Sequence, residues 1–173
     1  MHKKPWYDLK ELKYLNSDLS HRIGSNPPFH GSFSERNRFN IPGPFYGAET
    51  DSCLTGPAEA PQNIMVDEKG QEFVYRQPAS LAELECVLRA TEVDPFEGYG
   101  ANGDQHWTLP LVRDWWNTRH DLLAEMDSLR KWNDNVDEWH RYLHGPAIDY
   151  LRQYVFFIEE GKLPQVWDSL PML

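Results

Sequence analysis

Hydrophobic side chains in the C-terminal half of the chain recur every three or four residues, which is the pattern of amphipathic helices. Residues 78–93, PASLAELECVLRATEV, contain Ser80 and, three residues later, Glu83. This pair is typical of a capping box, in which two side chains satisfy amide groups that the first helical turn leaves unpaired. The pattern predicts a helix capped by Ser80. Its predicted buried stripe consists of Leu81, Leu84, Val87 and Leu88.

The longest helical pattern covers residues 109–132, LPLVRDWWNTRHDLLAEMDSLRKW. At about 100° per residue its apolar side chains share one side of a helix. The predicted core stripe consists of Trp115, Leu122, Met126, Leu129 and Trp132. The NDN at 133–135 is better suited to caps than to helix interiors, so we expect a kink or restart near Asn135. Gly145-Pro146 predicts another break, followed by a helix that Gly161 closes and a final turn in LPQVWDSL.

The N-terminal half contains one short helical pattern and a long segment without any period. Residues 5–19 have apolar positions three to four apart, which predicts a short amphipathic helix. From His21 to Gln62 proline and glycine interrupt every pattern, and such long irregular connections are uncommon in compact domains. We expect either a functional loop pinned to the core or short strands that the pattern does not resolve. The side chains expected to pin it are Phe29, Phe33, Phe39, Phe45 and Tyr46.

The clearest β signal is the stretch NIMVDEKGQEFVYRQ at 63–77. Apolar residues on either side of DEKG predict two strands, with Gly70 at a position of positive φ. Together with the helices, this hairpin predicts an α+β fold: a small antiparallel sheet in the N-terminal half and a predominantly helical C-terminal half. A chain of 173 residues with 40% hydrophobic content fits one domain spanning 1–173.

The charge distribution indicates what kind of partner the chain would bind. The formal net charge is −10, which disfavours direct binding to nucleic acid or to an anionic membrane and favours a basic protein. The excess is concentrated in the middle of the chain. Residues 39–105 hold twelve acidic and three basic side chains, whereas residues 1–38 hold four acidic and seven basic ones.

The cysteines and the N-terminus indicate the compartment. Cys53 and Cys86 are far apart and form no CxxC pair, so neither a disulfide framework nor a thiolate metal site is predicted. The start MHKKPWYDLKELKYL interleaves charges with apolar residues, unlike a signal peptide. No window approaches 18 uncharged apolar residues. We therefore expect a cytoplasmic protein without a membrane span.

One group of residues is a candidate for metal chemistry. Asp137, His140 and His144 are spaced three and four apart, so on a continuous helix they project from one side and can bind zinc or iron. His140 also falls within an apolar stripe, where a structural histidine is the alternative, and the HExxH glutamate is missing. A further ligand would have to come from His30, His106 or a distant carboxylate. The leading expectation is a protein without a metal, a cofactor or an enzymatic activity.

The stretch EVDPFEGYGANGDQHW at 92–107 is the candidate partner-binding loop. Its glycines and Pro95 suit a plain connection between helices, but its aromatic residues are of the types enriched at protein interfaces and its carboxylates would steer a cationic partner. Acidic residues of the preceding segments would extend the same surface. The predicted partner-binding residues are Glu49, Asp51, Glu59, Asp67, Glu68, Glu72, Asp94, Phe96, Glu97, Tyr99, Asp104 and Trp107.

The stretch IPGPFYGAETDSCLTGPAEAPQNIMVDEKGQEFVYRQP at 41–78, the acidic balance and the lack of any nucleotide loop, nucleophile elbow or dinucleotide fingerprint resemble the small cytosolic immunity proteins that bacteria encode beside polymorphic or contact-dependent toxins. The resemblance implies a protein that inhibits a cognate toxin, commonly a basic nuclease, by binding it tightly. It carries no residue roles with it. Two alternatives remain open: a small metal-dependent enzyme that uses Asp137, His140 and His144, and a structural adaptor subunit.

Overall fold

The computed structural model describes residues 28–173, and the helix predicted at 5–19 lies outside them. The predicted α+β class, with its helical C-terminal half, is confirmed. In chain order the elements are β1 (Tyr46–Gly47), α1 (Thr55–Glu59), β2 (Ile64–Val66), β3 (Glu72–Val74), α2 (Leu81–Val93), β4 (Tyr99–Gly100), α3 (Leu109–Asp127), α4 (Val136–Leu143) and α5 (Ala147–Glu160). Short 3₁₀ turns occupy Phe33–Glu35 and Gly103–Gln105.

The N-terminus of α2 is capped as the sequence predicts. The Ser80 hydroxyl accepts a hydrogen bond from the Glu83 amide at 3.1 Å. The Glu83 carboxylate accepts one from the Ala79 amide at 2.9 Å, one residue before the partner of a standard capping box. Leu81 was wrongly assigned to the buried stripe, because it lies in the first turn with 38% of its surface exposed. The remaining stripe, Leu84, Val87 and Leu88, is buried.

Helix α3 ends at Asp127, five residues before the periodic pattern does. The prediction that Trp132 belongs to the core stripe is therefore wrong: the chain has left the helix and Trp132 is 53% exposed. Asn133 supplies a reason, since its side chain donates to the Val66 carbonyl and accepts from the Val66 amide, both at 2.9 Å. These bonds draw the chain against β2, and a new helix starts at Val136 as predicted.

The predicted hairpin is present, and both of its faces are buried. Strands β2 and β3 pair antiparallel, and Gly70 has φ of 77° in the connecting turn. Met65, Phe73 and Tyr75 face a large core cluster with helices α3, α4 and α5. Ile64 and Val74 face a second cluster, together with α2 and Tyr99. Because side chains alternate along a strand, Glu72 points to the same side as Val74.

The irregular segment after residue 28 contains short elements held by buried aromatic rings. Strand β1 pairs antiparallel with β4, which joins this segment to the loop after α2. Phe39, Phe45 and Tyr46 are buried, which confirms the prediction that aromatic residues pin the segment. Within residues 28–173, no helix is both long and apolar enough to cross a membrane.

Candidate functional site

The candidate site is an open groove of about 700 Å³, which we call the first groove. One wall comes from residues 35–38, another from the β2–β3 turn, and a third from the segment after β1 together with the tip of the 92–107 loop. The groove brings together four of the predicted partner-binding residues: Glu49, Asp67, Glu68 and Phe96. The sequence could not show that these four meet, since they belong to three separate segments.

Phe96 is the exposed aromatic residue at the rim of the first groove. Its side chain is 70% exposed, whereas the other aromatic residues of the 92–107 loop, Tyr99 and Trp107, are buried. Glu97, which follows it, has φ of 52°, a left-handed conformation that turns the chain back towards β4. Of the aromatic residues predicted to contact a partner, Phe96 is therefore the one that is exposed in this loop.

Asp94 holds the loop tip in place from inside the protein. One of its carboxylate oxygens accepts hydrogen bonds from the Asp51 and Phe96 amides, each at 3.1 Å, and the other accepts one from the Gly98 amide at 2.8 Å. Its assignment to the binding surface is wrong, because the side chain is buried. Asp94 instead positions Phe96 and ties the loop to the segment that carries Glu49.

The glycines of the loop allow close packing and do not supply positive φ. A Cβ at Gly98 would overlap the Glu49 carbonyl oxygen, and one at Gly100 would overlap the Tyr46 ring. The backbone of the loop can therefore lie directly against β1, with which β4 pairs, and against Glu49 just after it. Glycine is required here because no larger residue fits this approach.

Trp107 and Tyr99 were predicted to contact a partner, and this prediction is wrong because both side chains are buried. The Trp107 ring meets the Phe33 ring edge-on, with centroids 5.2 Å apart, and the Arg36 guanidinium lies 4.8 Å from its centre. Tyr99 extends into the second core cluster, where its hydroxyl donates a hydrogen bond to Glu72. Both residues stabilise the base of the loop.

Glu72 and Asp51 were also predicted to lie on the binding surface, and both are buried. Glu72 accepts hydrogen bonds from the Tyr99 hydroxyl and from the Gly56 amide, the latter at 2.8 Å. Burial raises the pKa of Glu72 to about 7, the two hydrogen bonds oppose this shift, and the charges of Asp51 and Asp94 add to it. The chain thus contains an internal carboxyl group that titrates near neutral pH.

The other three predicted residues lie outside the first groove. Glu59 forms an ion pair with Arg89 at 3.3 Å, and Glu97 forms one with His30. Asp104 accepts a hydrogen bond from the Tyr154 hydroxyl at 2.8 Å. Each of these three carboxylates therefore has a partner within the protein.

Basic side chains, which the sequence argument did not include in the site, also line the first groove. Four carboxylates (Glu35, Glu49, Asp67, Glu68) stand against three cations (Arg36, Arg38, Lys69), a net charge of −1. Arg38 is bound by Glu125, and Arg36 stacks 4.1 Å from the centre of the Phe33 ring. Within residues 28–173, no ion pair engages Glu49 or Glu68. The SERNRFN stretch was the sequence signal for this basic contribution.

The proposed metal ligands do not converge. Asp137 binds Arg130 at 2.7 Å, and the His140 imidazole contacts Asp127 at 3.0 Å. His144 donates through Nδ1 to the His140 carbonyl at 2.8 Å. Across the part of the chain that the structure describes, no group of three or more histidine, cysteine, aspartate or glutamate side chains is placed to hold a metal ion.

Comparisons with protein-family models, with curated proteins and with solved structures gave no match.

Proposed function

We propose that this chain is a binding protein that captures a basic partner protein at the first groove. The observation that carries the proposal is the position of Phe96, an exposed ring at the rim of a groove that also contains Glu49 and Glu68. An aromatic anchor beside two carboxylates that form no ion pair within residues 28–173 fits a partner segment that combines an apolar residue with lysine or arginine.

The two kinds of side chain contribute differently to binding. Covering a phenylalanine ring removes a large apolar surface from water, and aromatic anchors often carry much of the energy of an interface. Exposed carboxylates act at longer range, so they raise the association rate of a cationic partner and fix its orientation. The buried bonds of Asp94 hold the backbone at Phe96 in place before binding, which lowers the entropy lost on association.

The partner class we propose is a cognate toxin domain, because the sequence resembles immunity proteins and its net charge of −10 suits a basic nuclease. Inhibition would follow from steric cover of the toxin surface that the groove binds. The carboxylates around Phe96 would occupy the positions at which such a toxin binds phosphate groups.

The test is a comparative pull-down from the source cell, followed by an activity assay of the captured protein. The parent chain is compared with Phe96→Ala, with the pair Glu49→Gln and Glu68→Gln, and with the control pair Glu159→Gln and Glu160→Gln. The control changes the charge equally at the exposed end of α5. We expect the parent and the control to retain a basic protein that both groove variants lose, and we expect that protein's activity to be inhibited by the parent.

Two results would contradict the proposal. Equal recovery by all four proteins would show that the first groove is not the binding site. Capture of a neutral partner whose binding does not respond to salt would favour the structural adaptor instead, because screening weakens contacts between exposed charges.

A further inference from the structure

Three carboxyl groups lie close together in the interior, behind the loop tip that carries Phe96. Glu72 belongs to β3, Asp51 to the segment after β1, and Asp94 follows the last residue of α2. Each of the three residues is at most 3% exposed. Within residues 28–173, no ion pair engages any of them, although a buried charge is costly unless it is paired.

The backbone between these carboxyl groups also forms a wall of the first groove. The Glu72 amide donates a hydrogen bond to the Thr50 side-chain oxygen at 2.8 Å, and the Asp51 amide donates one to the Asp94 carboxylate at 3.1 Å. Thr50 and its neighbour Glu49 line the first groove. A displacement within the cluster therefore reaches both the wall at Glu49 and the loop tip that Asp94 holds.

Glu72 is enclosed by α1 on one side and by Tyr99 of β4 on the other. Its carboxyl group accepts hydrogen bonds from the Gly56 amide and from the Tyr99 hydroxyl. A Cβ at Gly56 would overlap both the Glu72 carboxyl oxygen and the Tyr99 hydroxyl oxygen. Burial and the charge of Glu72 hold the pKa of Tyr99 well above its usual 10, so this hydroxyl remains a donor. Water therefore reaches Glu72 when the loop that carries Tyr99 moves away.

We infer that this cluster is a proton switch, in which loss of the Glu72 proton to the solvent releases the loop that carries Phe96. In the closed loop, the deprotonated group adds a negative charge beside Asp51 and Asp94. In the open loop, water solvates that charge. Release of the loop removes one side of the first groove, so a captured partner dissociates. This last consequence rests on the proposed function.

The direction of the pH dependence follows from the pKa of Glu72. Burial raises it from 4.5 to about 7, the hydrogen bonds from Tyr99 and Gly56 oppose the rise, and the charges of Asp51 and Asp94 add to it. The closed loop therefore holds the proton more tightly than the open loop does. Opening is rarest below pH 4.5, becomes more frequent as the pH rises towards 7, and levels off above 7.

The test follows amide hydrogen exchange by NMR between pH 5.5 and pH 8, and it needs no partner. The Gly98 amide, which Asp94 binds, measures opening of the loop, and the Val74 amide of β3 measures global unfolding. Protection factors remove the ordinary acceleration of exchange with pH. We expect Gly98 to be less protected than Val74, and its protection to fall about five- to thirtyfold over this range.

Two variants show whether Glu72 is responsible. Glu72→Gln does not titrate, so its Gly98 protection should stay within about twofold across the range. The control Glu159→Gln makes the same chemical change at the exposed end of α5 and should behave like the parent. Tyr99→Phe gives a check that does not depend on the folding of Glu72→Gln. Losing the hydroxyl raises the pKa of Glu72, so the fall in protection should move to higher pH.

Three results of the exchange series would overturn the inference. Equal protection of Gly98 and Val74 would show that the loop opens only when the whole protein unfolds. A Gly98 protection factor that does not depend on pH would show that no switch operates. The same fall in Glu72→Gln as in the parent would assign the pH dependence to another group.

The protein recovered in the pull-down connects the switch to binding. We expect the parent to release it at pH 8 and retain it at pH 5.5, whereas Glu72→Gln should retain it at both. Retention by the parent at both values would overturn the coupling to binding. A pH-independent loop with capture that requires Phe96 would overturn the switch and leave the proposed function. A pH-dependent loop with capture that does not require Phe96 would contradict the proposed function and support the switch.

Discussion

The Tyr99 hydroxyl donates a hydrogen bond to the Glu72 carboxyl group in the interior of the protein. Burial raises the pKa of Glu72 from 4.5 to about 7. The folded protein therefore holds the proton more tightly than the unfolded chain does. The stability that this group contributes is fully present below pH 4.5 and is lost as the pH rises through 7.

We expect Glu72→Gln to remove this pH dependence, because the amide resembles the protonated carboxyl group and does not titrate. A difference of this size between the folded and unfolded pKa corresponds to about 3 kcal/mol. The variant should be close to the parent at pH 5 and clearly more stable than the parent at pH 8.5. Urea unfolding across this range measures the difference. Parallel curves for the two proteins would show that Glu72 does not titrate there.

Tyr99→Phe should shift the pH window upward. The hydrogen bond from Tyr99 lowers the pKa of Glu72, so its loss raises that pKa above the parent value of about 7. Leaving a buried carboxyl oxygen without its donor should also cost about 1–3 kcal/mol at neutral pH. The same unfolding series measures both effects. A lower stability with an unmoved pH window would mean that the hydroxyl acts only through packing.

Asp94→Ala should lower the stability of the fold strongly and Phe96→Ala only slightly, although the two residues are two positions apart. Asp94 accepts three backbone hydrogen bonds in a buried position, so its removal should cost at least about 3 kcal/mol. Phe96 is exposed, and its truncation should change the free energy of unfolding by less than about 0.5 kcal/mol. Thermal unfolding of the two variants tests this contrast. A strongly destabilised Phe96→Ala variant would assign that ring to the core.

The two ends of the α3 pattern provide a similar contrast. Leu122→Ala should cost about 2–5 kcal/mol because the side chain is buried in the large core cluster. Trp132→Ala should cost much less, because the helix has ended and the ring is half-exposed. Denaturant unfolding measures both changes. Equal losses would mean that Trp132 is packed as the periodic pattern predicted.

Once a partner is identified, its binding kinetics should separate charge from anchoring. The pair Glu49→Gln and Glu68→Gln should mainly slow association and reduce its dependence on salt. Exposed charges attract a partner at long range, and 0.1 M salt screens this attraction beyond about 10 Å. Phe96→Ala should mainly speed dissociation, by about thirtyfold if the ring is worth 2 kcal/mol, a common size for a hot spot. Surface-binding kinetics at two salt concentrations distinguish the effects. A rise in dissociation rate from the charge variants alone would reverse these roles.

Local signals in the sequence predicted the α2 cap, the hairpin turn and the end of α5, because their causes lie within a few residues. The Ser80 cap needs only Glu83 nearby, and Gly70 and Gly161 adopt the positive φ that their turns require. The end of α3 could not be predicted from neighbouring residues. It depends on Asn133 reaching the backbone of Val66, 67 residues earlier in the chain.

The solvent exposure of the candidate binding residues was predicted less well than the fold, because a count of carboxylates does not show which ones face water. Glu72 and Asp94 are interior groups whose partners come from other segments.

The hairpin of β2 and β3 separates two clusters of buried side chains and belongs to both. Phe73 faces one cluster and Val74 faces the other, so unfolding either one would expose a strand that the other also needs. Neither cluster can therefore lose its structure alone without removing a wall of its neighbour. The described region should consequently melt in a single cooperative transition, and the amides of these two strands should be among the last to exchange with solvent.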